Sequence, residues 1–385
     1  MNIVVVGGGF AGVKAALELA KRHIGKITLV SDESYFLHHA TLYATATGKN
    51  VAESVIELKD IFLDYPQVTV VKDRLASIDV QKKKLIGERS HYTYDKAILA
   101  LGSVTTFFGV KGLDKHAYGI KSLDEIKRFK EHIHTELTEK RLDREYYVIG
   151  AGSTGVELAG ALQEHLNYLK AAYRLRASQT RVTIIEAAPR ILPHASVTAS
   201  KKVEKHLKKI GIKVLVGHKV DALDRNHISI EGKKVMTRTA VWTAGVANNP
   251  FYRAHPSVFN LSPRGLVEVS HYLEATKDVY VLGDNNTAKF SGTAWPALNQ
   301  ATFIAKHITR IVSKRPLVPF SPKKAPFGVP VGEKWGYVEW MGVYVAGRIG
   351  HVARRLLELH GYKQLVPREK AVAIWRAHDL PQVDE

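Results

Sequence analysis

The chain of 385 residues contains no cysteine, which excludes disulfide staples, thiolate metal sites, iron–sulfur clusters and any thiol–disulfide redox relay. It has no run of about 18 apolar residues, the length a helix needs to cross a bilayer. Low-complexity tracts are missing too. Its 18 histidines show no metal-ligand spacing: His38 and His39 are adjacent and point apart, and His132 and His134 fall on different faces of a helical segment. They read as surface or packing residues, and no metal is expected. No Ser-His-Asp set or carboxylate pair stands out. Acids are few: 37 Asp and Glu stand against 56 Lys and Arg, a formal charge of +19 that favours anionic surfaces. The first strand begins directly after Met1 with no basic region or cleavage site, so no signal peptide is expected. The remainder, 45% hydrophobic and 24% charged, is ordinary globular composition with room for two or three domains.

What is present is glycine in a pattern. G-x-G-x-x-G occurs twice, as Gly7-Gly8-Gly9-Phe10-Ala11-Gly12 and as Gly150-Ala151-Gly152-Ser153-Thr154-Gly155. An apolar run precedes each, Ile3–Val6 and Tyr147–Ile149, and helical sequence follows each. In such a strand–turn–helix unit the first glycine allows the turn, the second lets backbone approach a pyrophosphate, and the third lets helix pack on strand. The helix N-terminus adds free N–H groups and a positive dipole. Two such units argue for a chain that holds two dinucleotides at once. That combination usually joins a bound flavin to a nicotinamide, because hydride passes directly between two rings held face to face.

Two further strands end in tight turns, Tyr94 through Ser103 and Asp278 through Asp284. With them the chain resembles the two-dinucleotide flavoprotein oxidoreductases, in which the first such segment closes the FAD domain and the second returns the chain to it. The resemblance implies that Ala100, Gly102, Gly283 and Asp284 line the flavin, Asp284 near its ribityl and phosphates. It narrows through Arg181–Pro193, through Val241–Val246 with Gly245, and through Tyr35–Gly48. These look like the type II, non-proton-pumping NADH:quinone oxidoreductases, over essentially the whole chain. That family carries FAD, oxidises NADH, reduces a membrane quinone and clings to one membrane face through amphipathic C-terminal helices. Relatives that need redox cysteines, the disulfide reductases and sulfide:quinone reductases, are excluded.

The expected fold is α/β, with two Rossmann-like domains and the NADH domain inserted in the FAD domain. Residues 1–113 read as the first FAD segment, 114–244 as the NADH domain, 245–317 as the FAD return segment and 318–385 as a C-terminal membrane-anchoring or dimerisation region. The prolines between Lys314 and Pro322 mark the last boundary. By the resemblance the protein is peripheral on the cytoplasmic face of the cell membrane. A homodimer is left open.

Glu186 ends the strand after the second glycine loop, where a carboxylate accepts hydrogen bonds from ribose hydroxyls and repels a 2′-phosphate, favouring NADH. Arg190 nearby weakens that exclusion. In the first domain the strand ends at Ser31, where the family has its acid, and Asp32 follows. Asp32 takes the FAD ribose or is a solvent-facing loop acid. Glu157, in the first turn of the second helix, complements the helix dipole. The resemblance implies that it also faces the nicotinamide and flavin edges, orients NADH and takes part in proton delivery. It further implies that Trp295–Phe303 lies beside the flavin, with Ala297 and Leu298 against it. Asn299 and Phe303 then stand at the family's two glutamine positions. Asn299 keeps an amide for a quinone oxygen, whereas Phe303 makes the wall apolar. The family's lysine is out of register, with Lys323 and Lys324 near its place.

Between Lys314 and Arg376, twelve Lys and Arg face four Glu. Val345, Ile349, Val352, Leu356 and Leu359 recur at helical spacing, with Arg348, His351, Arg355 and Glu358 on a neighbouring face, so a basic amphipathic helix is expected. Val372 and Trp375, among Arg368, Lys370 and Arg376, suggest a second, with Trp340 and Trp375 at the lipid headgroups. An isolated amphipathic helix more often packs on its own domain. Its C-terminal position, its arginines and the resemblance favour an anionic membrane surface. Two other classes share the fold: a soluble reductase of an acidic iron–sulfur protein, and a redox-sensing or nucleic-acid-binding flavoprotein of the apoptosis-inducing-factor type. No nucleic-acid module or arginine-rich arm is found, and no nucleic-acid partner is expected.

Overall fold

The computed structural model describes residues 1–175 and 180–380. The apolar run Ile3–Val6 forms β1 (Asn2–Val6), buried on both faces as a central parallel strand must be. The chain turns through glycines into α1 (Phe10–Lys21), returns in β2 (Lys26–Ser31) and adds β3 (Val68–Lys72) and β4 (Lys96–Leu99). It then leaves for a second unit. There α2 (Leu123–Thr138) starts on a capping box of Ser122 and Glu125, and β5 (Glu145–Ile149), α3 (Ser153–Ala172), β6 (Arg181–Glu186), β7 (Lys213–Val216) and β8 (Ala240–Trp242) follow. On its return the chain adds β9 (Glu274–Thr276), β10 (Val279–Val281) and α4 (Ala294–Val312) to the first unit.

The first sheet has the order β9-β10-β4-β1-β2-β3, parallel from β10 onward; the second has the order β7-β6-β5-β8, parallel throughout. This topology positions the site. Because β1, β4 and β10 are parallel neighbours ending at Val6, Leu99 and Val281, Gly7, Gly102 and Gly283 emerge at one sheet edge. It is the carboxyl edge, where open α/β sheets bind ligands.

After α4 the chain runs without helix or strand to β11 (Phe327–Pro330). That strand pairs antiparallel with β12 (Gly336–Trp340), which pairs with β13 (Val343–Gly347). Helices α5 (Arg348–Lys363) and α6 (Arg368–Ala377) follow. The C-terminal region is therefore more than the expected pair of helices. Val329, Val331 and Tyr337 are buried in the core of the second unit, while Tyr362, Leu365, Val366, Ala371 and Ile374 are buried in that of the first.

Several expectations for this region are corrected. Val345, expected to open the amphipathic helix, lies in β13, and Gly347 at φ +79° separates strand from helix. Of the expected charged face Arg348 stays exposed, but Arg355 and Glu358 point inward together with Arg354, at 7%, 3% and 8% exposure. Leu359 packs against the first core. Trp375, expected at a headgroup, instead lies under the Arg355 guanidinium, 4.7 Å from it, and its Nε1 donates to the Arg355 carbonyl. Exposed beside Arg348 is an apolar ridge, Ile349, Val352 and Leu356 at 72%, 57% and 54% exposure with Trp340, Met341 and Val343 on the adjoining hairpin. Among the described residues no helix is long and apolar enough to cross a membrane.

Candidate functional site

Two cradles of the same build lie at the starts of α1 and α3. Gly7 (φ +115°) and Gly150 (φ +104°) make the turns, and their amides donate to Val30 and Ile185 on the neighbouring strands. A Cβ on Gly12 would sit 1.9 Å from the Gly7 oxygen, and one on Gly155 1.9 Å from the Gly150 oxygen, so each third glycine is where helix meets strand. The middle glycines differ. Around a Cβ built on Gly9 or Gly152 nothing lies within 4 Å, and both residues are helix N-caps without a side-chain cap. The surface beside them is open and lined with unpaired helix-terminal N–H groups, as a pyrophosphate requires. The residues present fit two dinucleotides.

Around the first cradle, Gly283 (φ +74°) comes within van der Waals reach of Ala11, a built Cβ lying 3.5 Å from the Ala11 methyl carbon. Asp284 accepts from Ser103 Oγ at 3.3 Å, and Lys121 Nζ donates to the Ser103 carbonyl and hydroxyl oxygens at 3.1 and 3.2 Å. Asn285 exchanges hydrogen bonds with both backbone groups of Gly102, and Gln300 Oε1 accepts from Gly283 and Asn286. Sequence reasoning missed Asn285, Gln300 and Lys121. For Asn285 and Gln300 the available signals were a polar pair directly after Gly283-Asp284 and a second amide beside Asn299 at the start of α4. Phe10 packs edge-on against Phe36 at 4.9 Å, and Ala100 is buried in the same core.

Asp32 stands just past β2, half exposed, 3.8 Å from Arg74. It lines a cavity of about 530 Å³ with Gly7, Ser31, Arg74, Asn249 and Phe251. A second cavity, of about 210 Å³, lies between the units and brings Thr154 of the second cradle and Gly245 together with His39, Leu42 and Lys121. At the end of β6, Glu186 accepts from the amides of Ala151 and Ala188 at 2.7 and 2.8 Å, which sets its carboxylate against the second cradle. Arg190 does not face it as a free cation. Its guanidinium donates to the carbonyls of Leu192, Pro193 and Ala195, pinning its own loop.

Glu157 lies one residue beyond the first turn of α3 rather than within it. It is buried, with Oε1 3.8 Å from Arg354 Nη2. Burial pushes its carboxyl up to about 8, against the opposing pull of Arg354. Arg354 was not foreseen in this place.

On α4, Ala297 and Leu298 are buried in the core that also holds Ala11 and Ala100. Asn299 Nδ2 is buried without a hydrogen-bond partner, an amide group in want of an acceptor. Phe303 packs against Phe320 and His307. Lys323 and Lys324 are exposed in the segment before β11.

Residues 1–301 match the family model described as pyridine nucleotide-disulphide oxidoreductase. The chain belongs to that family. Having no cysteine, it cannot run the disulphide chemistry in the family's name. Over 333 residues it is 28% identical to a type II NADH:quinone oxidoreductase of Mycobacterium tuberculosis, covering 80% of this chain and 72% of the relative. A type II NADH:quinone oxidoreductase of Staphylococcus aureus is 25% identical over 335 residues, 81% and 83% of the two chains. In fold it superposes on NDH2 of Plasmodium falciparum, solved with NADH, with a TM-score of 0.87 at 16% identity over 97% of each chain.

Proposed function

We propose that this protein is an FAD-dependent, non-proton-pumping NADH:quinone oxidoreductase that works as a peripheral membrane protein. The observation that carries the reading is the pair of open cradles of the same build, the first beside a cavity at the end of β1 and the second beside the cavity between the units, in a family member without cysteine. Gly7, Gly9, Phe10, Ala11 and Gly12 would hold the FAD pyrophosphate, with Asp32 at its ribose and Gly102 and Asp284 along its length. Gly150, Gly152 and Gly155 would hold that of NADH, with Glu186 at its ribose and Gly245 at the cavity wall. The chemistry supplied there is two-electron exchange, hydride acceptance from NADH followed by reduction of a quinone. The chain's part is alignment and exclusion of water, with Glu157 holding a proton near neutral pH and the free Asn299 amide offering a donor to a quinone oxygen. The exposed apolar ridge from Trp340 to Leu356 supports attachment to a lipid surface better than docking to an acidic soluble protein.

Anaerobic titration of the purified protein with NADH, followed by absorbance, tests the reading. About one equivalent should bleach a flavin spectrum, and a quinone analogue should restore it. Colourless protein, or a bleached spectrum restored only by an iron–sulfur protein, would sink it. Nucleotide choice is a separate expectation. With Glu186 at the ribose and Arg190 already engaged, kcat/KM for NADH should exceed that for NADPH by at least about tenfold, roughly 1.4 kcal/mol. Glu186→Gln should narrow the gap, and equal use of both nucleotides by the unaltered protein refutes the assignment.

A further inference from the structure

Helix α5 has two unlike faces: the outer one exposes the apolar ridge of Ile349, Val352 and Leu356, and the inner one carries buried charge. Arg354 Nη1 donates to Glu358 Oε1 at 2.8 Å, Arg355 Nη1 donates to Glu358 Oε2 at 2.7 Å, and Arg354 Nη2 reaches to 3.8 Å from Glu157. Arg354 is further tied to the Gly328 carbonyl on β11. Glu157 itself belongs to α3, the helix that starts at the second glycine cradle. The charged or titratable groups around it are Arg354 and Glu358 from α5 and Tyr43 from the short helix Leu42–Ala46. Behind them stand Arg355, Tyr362 and His38, and the buried pair of Glu53 with His378, 2.7 Å apart.

We propose that Arg354 is a positioning residue for Glu157: from the C-terminal helix it holds the carboxyl in place and sets its charge, so the C-terminal region completes the site as well as attaching it. The proposal rests on the functional reading above only in giving that proton a use, at the quinone. The geometry divides Arg354 unequally. Glu358 is about an ångström nearer than Glu157 and takes most of its charge. Burial drives Glu358 towards its neutral form, but Arg354, Arg355 and His378 outweigh that and keep it ionised. Glu157, left with the weaker share, keeps its proton at neutral pH. Two substitutions then act with opposite sign. Arg354→Met leaves Glu157 facing Glu358 alone, so its proton is held to higher pH. Glu358→Gln releases Arg354 to Glu157, so its proton leaves at lower pH. A role in packing alone predicts no such opposition.

The test uses full-length, flavin-loaded protein. The infrared carbonyl band of protonated Glu157, identified by its loss in Glu157→Gln, is titrated with pH in each variant. The alkaline limb of reoxidation by a soluble quinone analogue is measured alongside. The Arg354→Met midpoint should rise, and the Glu358→Gln midpoint should fall, by about one pH unit or more, a tenfold change in proton affinity. Midpoints that stay put, or move the same way, overturn the proposal. If Arg354→Met does not fold, Glu358→Gln decides alone, since its midpoint must fall. Opposed infrared shifts without quinone turnover would overturn the functional reading and leave the positioning role standing. Unmoved midpoints with normal turnover would overturn the positioning role alone.

Discussion

Gly9→Val is expected to give a folded protein that purifies without flavin. The backbone at Gly9 is already extended, at φ −87° and ψ −170°, and a Cβ there meets nothing within 4 Å, so the fold accepts the side chain. The branched methyls would instead fill the approach to the first N–H groups of α1. Gly152→Val should do the same at α3, keeping the yellow colour while NADH no longer bleaches it. Forcing such bulk into a fitted contact costs about 1–3 kcal/mol or more, about a 10- to 100-fold loss of affinity. Absorbance of the purified variants and anaerobic NADH titration read both outcomes, and circular dichroism checks the fold. Exchanged phenotypes would reverse the assignment of the two cradles. Gly12→Val and Gly155→Val make the contrast, because each puts a carbon 1.9 Å from a backbone carbonyl oxygen and should prevent folding.

The second large effect is expected at the ridge. Ile349→Asp combined with Leu356→Asp alters side chains that are 72% and 54% exposed, so the fold should persist while vesicle binding is lost. Each such side chain contributes about 1.5–3 kcal/mol when buried, so the pair should weaken binding at least about 100-fold, even on anionic vesicles at low salt. Arg348→Gln should cost only about 1 kcal/mol, vanishing as salt screens it. Vesicle co-sedimentation measures both, and undiminished binding by the double variant would exclude this ridge as the contact. Arg354 and Arg355 do not belong in that experiment, since they are bound to Glu358 inside the protein. Truncation before Val338 would remove Tyr362, Leu365 and Ile374 from the first core and should yield aggregate rather than a soluble enzyme.

Where the sequence was legible, the constraint was local. A strand, a glycine turn and a helix are specified within about a dozen consecutive residues, so both cradles and the α/β class could be read from Ile3–Leu19 and Tyr147–Ala159. The ends of β4 and β10 were legible for the same reason. The C-terminal helix misled because periodicity sorts residues onto faces without saying which face meets the rest of the molecule. Arg348, Arg354 and Arg355 look alike in sequence, yet one is exposed and two are buried. The overlooked signal was Glu358, an acid four residues from one arginine and three from the other, spaced to neutralise both inside a helix.

The sequence by itself determined the absence of thiol chemistry, the duplicated dinucleotide loop and the acid at the end of β6, because each depends on residue identity and near neighbours only. Tertiary structure decided what long-range contact controls. The parallel order β10-β4-β1 brings Gly283 and Asp284 to the first cradle across more than half the chain. Gly160 of α3 lies so close to the turn after β11 that a built Cβ would be 2.7 Å from the Gly332 nitrogen, locking the C-terminal sheet onto the second unit. With that sheet fixed, the inner face of α5 must carry Arg354 towards Glu157; burial then raises the Glu157 carboxyl, while Glu358 and Glu157 hold Arg354 charged against its own burial, in a way that no spacing of letters encodes.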